Sequence, residues 1–204
     1  MSTNQIVERL KENGEDFEWY PTTQEIVNCL AKKIFTKRSY GQGEYECKYH
    51  SVLDIGCGNG SFFEKIDRTE EQKFNETSDY GKMLRTRYGI EKSFELCERL
   101  PGDVVIIGSD FHEQTLIDKK VDLIFCNPPY SEFELWTKQI IMQGNCKAIA
   151  LVIPCRWRMH PEITYALKKR GMKAESLGTF DFLNADRRAR AKVDLLFITA
   201  DDVE

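Results

Sequence analysis

The chain of 204 residues has no run of 18 uncharged apolar residues, the length a helix needs to cross a bilayer. Its start, MSTNQIVERLKENGEDFEW, has no apolar core of signal-peptide length, so the protein is expected to stay cytoplasmic, without a membrane partner. No C-x-x-C pair occurs among its seven cysteines, Cys29, Cys47, Cys57, Cys97, Cys126, Cys146 and Cys155. An odd number, several of them in apolar strand-like runs, points to buried free thiols rather than a disulfide framework. Cys47 and His50 are spaced i,i+3, but no second pair completes a zinc site, and no metal is assigned. A cationic excess is lacking as well: the net charge is −4, which argues against a protein that coats nucleic acid non-specifically.

Hydrophobic residues at 41% and charged residues at 30% are ordinary for a soluble globular protein. The length fits one domain, residues 1–204, that buries about 70% of its unfolded surface. The charge is uneven. Between Arg156 and Lys192 ten Lys/Arg face four Asp/Glu, a local +6 against −10 elsewhere. That stretch suits a polyanion, although Lys168-Lys169-Arg170 reads equally well as a solvated helix face.

The stretch around which the chain is organised is Ser51 to Phe62, SVLDIGCGNGSF. An apolar strand ends in Asp54, and Gly56, Gly58 and Gly60 make a tight turn before a helix start; without Cβ atoms a ligand can lie against the backbone. The spacing G-x-G-x-G differs from the G-x-G-x-x-G of dinucleotide folds, and Asp54 would repel a pyrophosphate while suiting a cationic amino-acid group. Packing of a βα turn would also account for the glycines. A second motif narrows the choice. Val121 to Tyr130, VDLIFCNPPY, is another apolar strand, ending in a loop stiffened by two prolines, and in open α/β sheets ligands bind at such strand ends.

In chain order, a helix over Gln5 to Glu12 is expected first, in an N-terminal helical segment reaching residue 50. The aromatic patch FEWYPTT follows, and then a helix through Phe35 with Ile26, Val27, Leu30 and Ile34 on one face. The patch could simply staple that helix to a sheet. Thr36 to His50 reads as a loop, and Thr69 to Gly81 as an acidic insertion. Glu91 ends a second strand, where an acid accepts from ribose hydroxyls, or else serves as a helix N-terminal charge. Asp110 and Phe111 follow the strand Asp103 to Gly108, Asp110 being an N-cap in its plainest reading. Helices are expected over Phe94 to Leu100, Glu132 to Gly144 and Pro161 to Arg170, with a strand over Lys147 to Ile153. The last two strands, Ala174 to Phe182 and Val193 to Thr199, have no helix between them and imply an antiparallel pair.

Over nearly the whole chain these features resemble the class I S-adenosylmethionine (SAM)-dependent methyltransferases, and the tetrapeptide Asn127-Pro128-Pro129-Tyr130 with the FEWYPTT segment resembles the N6-adenine DNA methyltransferases among them. The resemblance implies a Rossmann-like α/β fold, with a seven-stranded, mostly parallel sheet, an antiparallel last strand and helices on both faces. It implies SAM as cofactor, held by Asp54, Gly56, Cys57, Gly58, Glu91, Asp110, Phe111 and Asn127 with Tyr20, Pro21 and Thr22 closing over it. Asn127, Pro128, Pro129 and Tyr130 would be catalytic. The Asn127 amide oxygen and the Pro128 carbonyl would accept from the acceptor amine, aiming its lone pair outward, and Tyr130 would stack on a planar base extruded from the DNA. The same tetrapeptide occurs in methyltransferases of protein glutamine and of guanine in ribosomal RNA, so it names the nucleophile better than the substrate. A silent methyltransferase-fold subunit is a further alternative. Only 74 residues follow Tyr130, too few for a separate target-recognition domain. Either Arg156, Trp157, Arg158, Arg187, Arg188 and Arg190 read the DNA, or a partner subunit supplies recognition.

Overall fold

The structure is a computed structural model that describes residues 2–37, 45–73, 84–183, 187 and 189–201. Ser2 opens α1 (Thr3–Glu12) with a capping box, its hydroxyl accepting from the Gln5 N–H while the Gln5 side chain accepts from the Ser2 N–H. Thr23 caps α2 (Gln24–Ile34), which buries Ile26, Val27, Leu30, Ala31 and Ile34 along one stripe. The chain then turns extended rather than remaining a loop: β1 (Phe35–Lys37) pairs antiparallel with β2 (Tyr45–Cys47). After these come β3 (Ser51–Ile55), α3 (Ser61–Lys73), β4 (Thr86–Ile90), α4 (Phe94–Cys97), β5 (Val104–Gly108), β6 (Leu123–Cys126), α5 (Phe133–Gln143), β7 (Ala148–Pro154), α6 (Pro161–Arg170), β8 (Met172–Phe182) and β9 (Ala189–Ala200). Residues 69–73, expected in an insertion, continue α3; residues 74–81 of that stretch lie outside the described residues. α4 ends three residues short of the expected Leu100, where Pro101 follows.

The large sheet has the order β5-β4-β3-β6-β7-β9-β8. β3 to β7 are parallel to one another, and β9 runs antiparallel between β7 and β8. The expected seven-stranded sheet with a reversed last strand is therefore present. Side chains alternate between two cores, as they must when parallel strands are covered on both faces. Val52, Leu123, Phe125, Ala148, Ala150 and Val152 meet α2 and α3. Leu53, Ile55, Ile124, Ile149, Leu151 and Ile153 meet α5 and α6. The chain runs outward from β3 through β4 to β5, then returns to lay β6 on the other side of β3. The β3/β6 seam is thus a topological switch point, with a crevice at the strands' C-terminal ends.

Three polar anchors fix the strands that frame this crevice. Asp122 accepts from the N–H groups of His50 and Ser51 and pairs with Lys147 at 2.8 Å, joining the starts of β3, β6 and β7. Arg87 on β4 has a fully buried side chain clamped by both oxygens of Asp67 on α3, and it also donates to the Leu84 carbonyl. Asp194 on β9 is 1% exposed and accepts from the Trp157 indole, Arg158, the Thr179 hydroxyl and the Cys155 thiol. Four donors satisfy this buried carboxylate and bind the 3₁₀ turn Cys155–Met159 to the sheet. Among the described residues, no helix is long and apolar enough to cross a membrane.

Candidate active site

At the end of β3 the backbone turns sharply. Gly56, Gly58 and Gly60 have φ of +73°, +57° and +79°, a left-handed region costly for any residue with a Cβ. The Gly56 and Cys57 N–H groups both donate to the Ile90 carbonyl at the end of β4. Close packing adds a second requirement: a Cβ on Gly58 would lie 2.2 Å from the Trp19 indole nitrogen. Glu91, one residue beyond β4, accepts from the Gly58 N–H at 2.7 Å and from the Ser93 N–H at 2.8 Å. Burial pushes the Glu91 carboxyl above its ordinary range against the pull of these N–H groups. Asp54 is 2% exposed, and burial together with the Glu91 charge pushes it well above the usual carboxylate range. The Cys57 thiol is pushed up by burial and by both carboxylates, which marks it as packing rather than nucleophile.

A cavity of about 290 Å³ opens above this turn, near the lower end of the ~300–1,000 Å³ of ligand pockets. Asp54, Gly56, Cys57, Glu91, Asp110, Phe111 and Asn127 line it from the sheet side, and the strap of residues 15–22 covers it. Tyr20, Pro21 and Thr22 are part of that cover, whereas Gly58 lies beneath Trp19 and outside the lining. Asp110 is partly spent already, pairing with Lys92 at 2.7 Å and capping the turn Phe111–Glu113 through the His112 N–H. The Lys92 hydrogen bond is the main reason the Asp110 carboxyl sits below its ordinary value.

The strap is tied to the Asn127–Tyr130 loop after β6. Asn127 uses its side-chain N–H₂ to donate to the Tyr20 carbonyl at 2.8 Å and to the Thr22 hydroxyl at 3.4 Å. Its amide oxygen is buried with no partner among the described residues, and so is the Tyr130 hydroxyl. Glu18, in a left-handed conformation at φ 56°, accepts from the Ser131 N–H. Pro129 lines the cavity, and Pro128 is buried next to it. The Tyr130 ring lies parallel to Tyr20 at 5.7 Å and edge-on to Phe182 at 6.1 Å.

No protein-family model matches the chain, and no curated protein matches it. Solved structures do. The 23S rRNA methyltransferase ErmE superposes with a TM-score of 0.62 at 10% identity, covering 89% of this chain and 70% of that one. The Mtq2–Trm112 complex of E. cuniculi, which methylates the eRF1 translation termination factor, gives 0.56 at 14% identity over 90% and 99%. The plantazolicin methyltransferase BpumL, in complex with SAH and a triazolic desmethylPZN analog, gives 0.58 at 15% identity over 97% and 90%. The fold is that of the class I SAM-dependent methyltransferases. In this methyltransferase fold the crevice at the switch point and the cavity above the glycine turn coincide.

The basic residues expected to meet a substrate are mostly engaged elsewhere. The Trp157 ring is 9% exposed with its N–H given to Asp194, so it is a core wall and not a stacking surface. Arg158 pairs with the same carboxylate at 2.6 Å. Arg187 grips both oxygens of Asp16, donates to the Trp19 carbonyl and lies 4.4 Å from the Tyr20 ring centre, so it holds the strap instead of projecting outward. Arg156 is exposed and donates to the Tyr130 carbonyl at 3.4 Å, and Arg158, although paired, keeps a side chain 55% exposed. Arg188 and the Arg190 side chain lie outside the described residues. Sequence reasoning took Trp19 only as part of the FEWYPTT segment and gave Lys92 and Glu132 no part in the site. Glu132 accepts from the Trp136 indole and faces His112 at 2.9 Å on the cavity wall. An acid two residues past Asn-Pro-Pro-Tyr was a visible signal for it.

Proposed function

We propose that this chain is a SAM-dependent methyltransferase that transfers a methyl group to the exocyclic N6 amine of adenine in DNA. The observation that carries the reading is the Asn127 side chain, its N–H₂ anchored to the strap and its buried amide oxygen left without a partner at the lip of the cavity. A buried acceptor without a donor is costly, and an amine N–H of the acceptor would supply that donor. An exocyclic amine is a weak nucleophile because its lone pair is delocalised into the ring; accepting from its N–H draws the nitrogen toward sp³ and aims the lone pair. The Pro128-Pro129 pair holds the accepting atoms without orientational entropy to lose. No general base is needed, since the proton can leave after methylation.

The cavity residues suit SAM. Asp54 offers a carboxyl that an incoming α-amino group would ionise, Glu91 keeps free lone pairs beside the turn for ribose hydroxyls, and Phe111 offers a flat wall for adenine. When bound, SAM supplies the electrophilic methyl of its sulfonium. In the bound state Asp110 would exchange part of its pairing with Lys92 for the adenine amine.

The test is methyl transfer from labelled SAM to duplex DNA, single-stranded DNA, RNA and protein, wild type beside Asn127→Ala, with nucleoside analysis. Label in N6-methyladenine from DNA, lost in Asn127→Ala while SAM still binds, is the expected result. A second reading is transfer to protein glutamine or to an RNA amine; its protein branch is favoured by the pairing of Arg158 with Asp194 and of Arg187 with Asp16, which neutralises two cations that a nucleic-acid backbone would attract. Label in protein or RNA but not DNA would establish it.

A further inference from the structure

We propose that Arg187 is a positioning residue for methyl transfer: by holding the strap, it fixes which end of the Asn127 amide faces the acceptor. This rests on the reading of Asn127 above and holds for any acceptor amine. An asparagine amide has two ends of nearly the same shape, one that accepts and one that donates. Only the accepting end can take an N–H of the acceptor; with the side chain turned over about its last torsion, N–H₂ would meet N–H. The sheet does not decide between the two. Among the described residues the Asn127 side chain has two partners, the Tyr20 carbonyl at 2.8 Å and the Thr22 hydroxyl at 3.4 Å, both on the strap. A carbonyl can only accept, so it draws the N–H₂ end to itself and leaves the buried oxygen for the acceptor.

The Tyr20 carbonyl is itself held from the far end of the chain. Arg187, between β8 and β9, meets the two oxygens of Asp16 at 2.7 and 2.9 Å and the Trp19 carbonyl at 2.7 Å, and stands 4.4 Å from the Tyr20 ring centre. The side chains of this forked, charge-assisted pair are each 16% exposed, so salt screens it less than a pair on open surface. The guanidinium grips the strap on both sides of Glu18, whose φ of 56° is costly for a residue with a Cβ. Such a kink persists only where its surroundings over-determine it. Here Arg187 holds the flanks, and the Ser131 N–H holds the Glu18 carboxylate at 3.1 Å. The kink in turn aims the Tyr20 carbonyl at Asn127. A lysine would bring the charge without the planar fork.

The experiment compares wild type with Arg187→Lys, Arg187→Gln and Asp16→Asn in three readouts: side-chain amide exchange by NMR in protein labelled with ¹⁵N-asparagine, SAM affinity by calorimetry, and single-turnover methyl transfer to unmethylated duplex DNA at saturating SAM. The Asn127 signal is assigned by its loss in Asn127→Ala. Both Arg187 variants should speed exchange of the Asn127 amide and slow the single turnover by about 10- to 100-fold, since misplacement by about 1 Å costs up to ~100-fold, while SAM affinity falls by less than the rate. Asp16→Asn, which keeps the bond to the Trp19 carbonyl, should shift both readouts in the same direction by less, and it carries the test with Arg187→Lys should Arg187→Gln fail to fold. An Asn127 signal unmoved in folded Arg187 variants, or a rate loss that vanishes when SAM saturates, overturns the positioning alone. If wild type leaves DNA unlabelled while the amide is freed in the variants, the positioning stands and the DNA reading falls. If wild type and Asn127→Ala label DNA equally, the reading of Asn127 falls and takes the positioning with it.

Discussion

Asp54 is a carboxylate placed where the fold resists its charge. Burial and the neighbouring Glu91 both raise its pKa, so the folded protein holds a proton that the unfolded chain releases above the ordinary carboxylate range. Such a group subtracts stability as pH rises past its unfolded pKa. Asp54→Asn keeps the shape and removes the titration. Its melting temperature should exceed that of wild type at pH 8, the difference shrinking toward pH 4, while calorimetry should record a loss of SAM affinity. A lower melting temperature at pH 8 would overturn this account. The tight turn of Asp54 and the three glycines at the end of β3 was legible because its chemistry is local. The pairing of Asp16 with Arg187, 171 residues apart, has no local signature, and for that reason Arg187 read as a substrate contact.

At the scale of elements, the glycine turn and the strap are one interlocked unit. Gly58→Ala must place a Cβ against Trp19 in a left-handed backbone; the backbone alone costs about 1–2 kcal/mol. Chemical denaturation should show a loss of at least that size, and SAM affinity should fall by about tenfold or more, the equivalent of ~1.4 kcal/mol. A second element-level anchor is Asp122. Burial raises its pKa, but the Lys147 ammonium and the His50 and Ser51 N–H groups outweigh that and bring it down to about 2. Its contribution, about 2 kcal/mol from the shift, is present above the ordinary carboxylate pKa and is lost as pH falls from about 4 toward 2. Asp122→Asn should therefore be less stable than wild type at neutral pH, the gap closing in acid, as read by denaturant titration at several pH values. The central strands were legible from unbroken apolar runs, whereas β1 and β2 were missed because three residues of mixed polarity show no period.

For the whole molecule, charge placement is the feature with functional reach. With Arg158 on Asp194 and Arg187 on Asp16, the +6 stretch presents less cation to a polyanion than its count suggests. DNA affinity should therefore depend on salt only shallowly, with a slope of log affinity against log salt of about −1 to −3, corresponding to one to three phosphate contacts at ~0.9 each; a fluorescence anisotropy series over salt measures it, and a slope steeper than about −6 would contradict it. The strand order has a consequence of another kind. β9, the last strand in the chain, sits between β7 and β8, so during synthesis β7 has no partner on that side until residue 200 has left the ribosome. Most of the sheet can assemble as it emerges, but its distal third must wait, with the apolar β7 edge the segment for which a chaperone has most reason to compete.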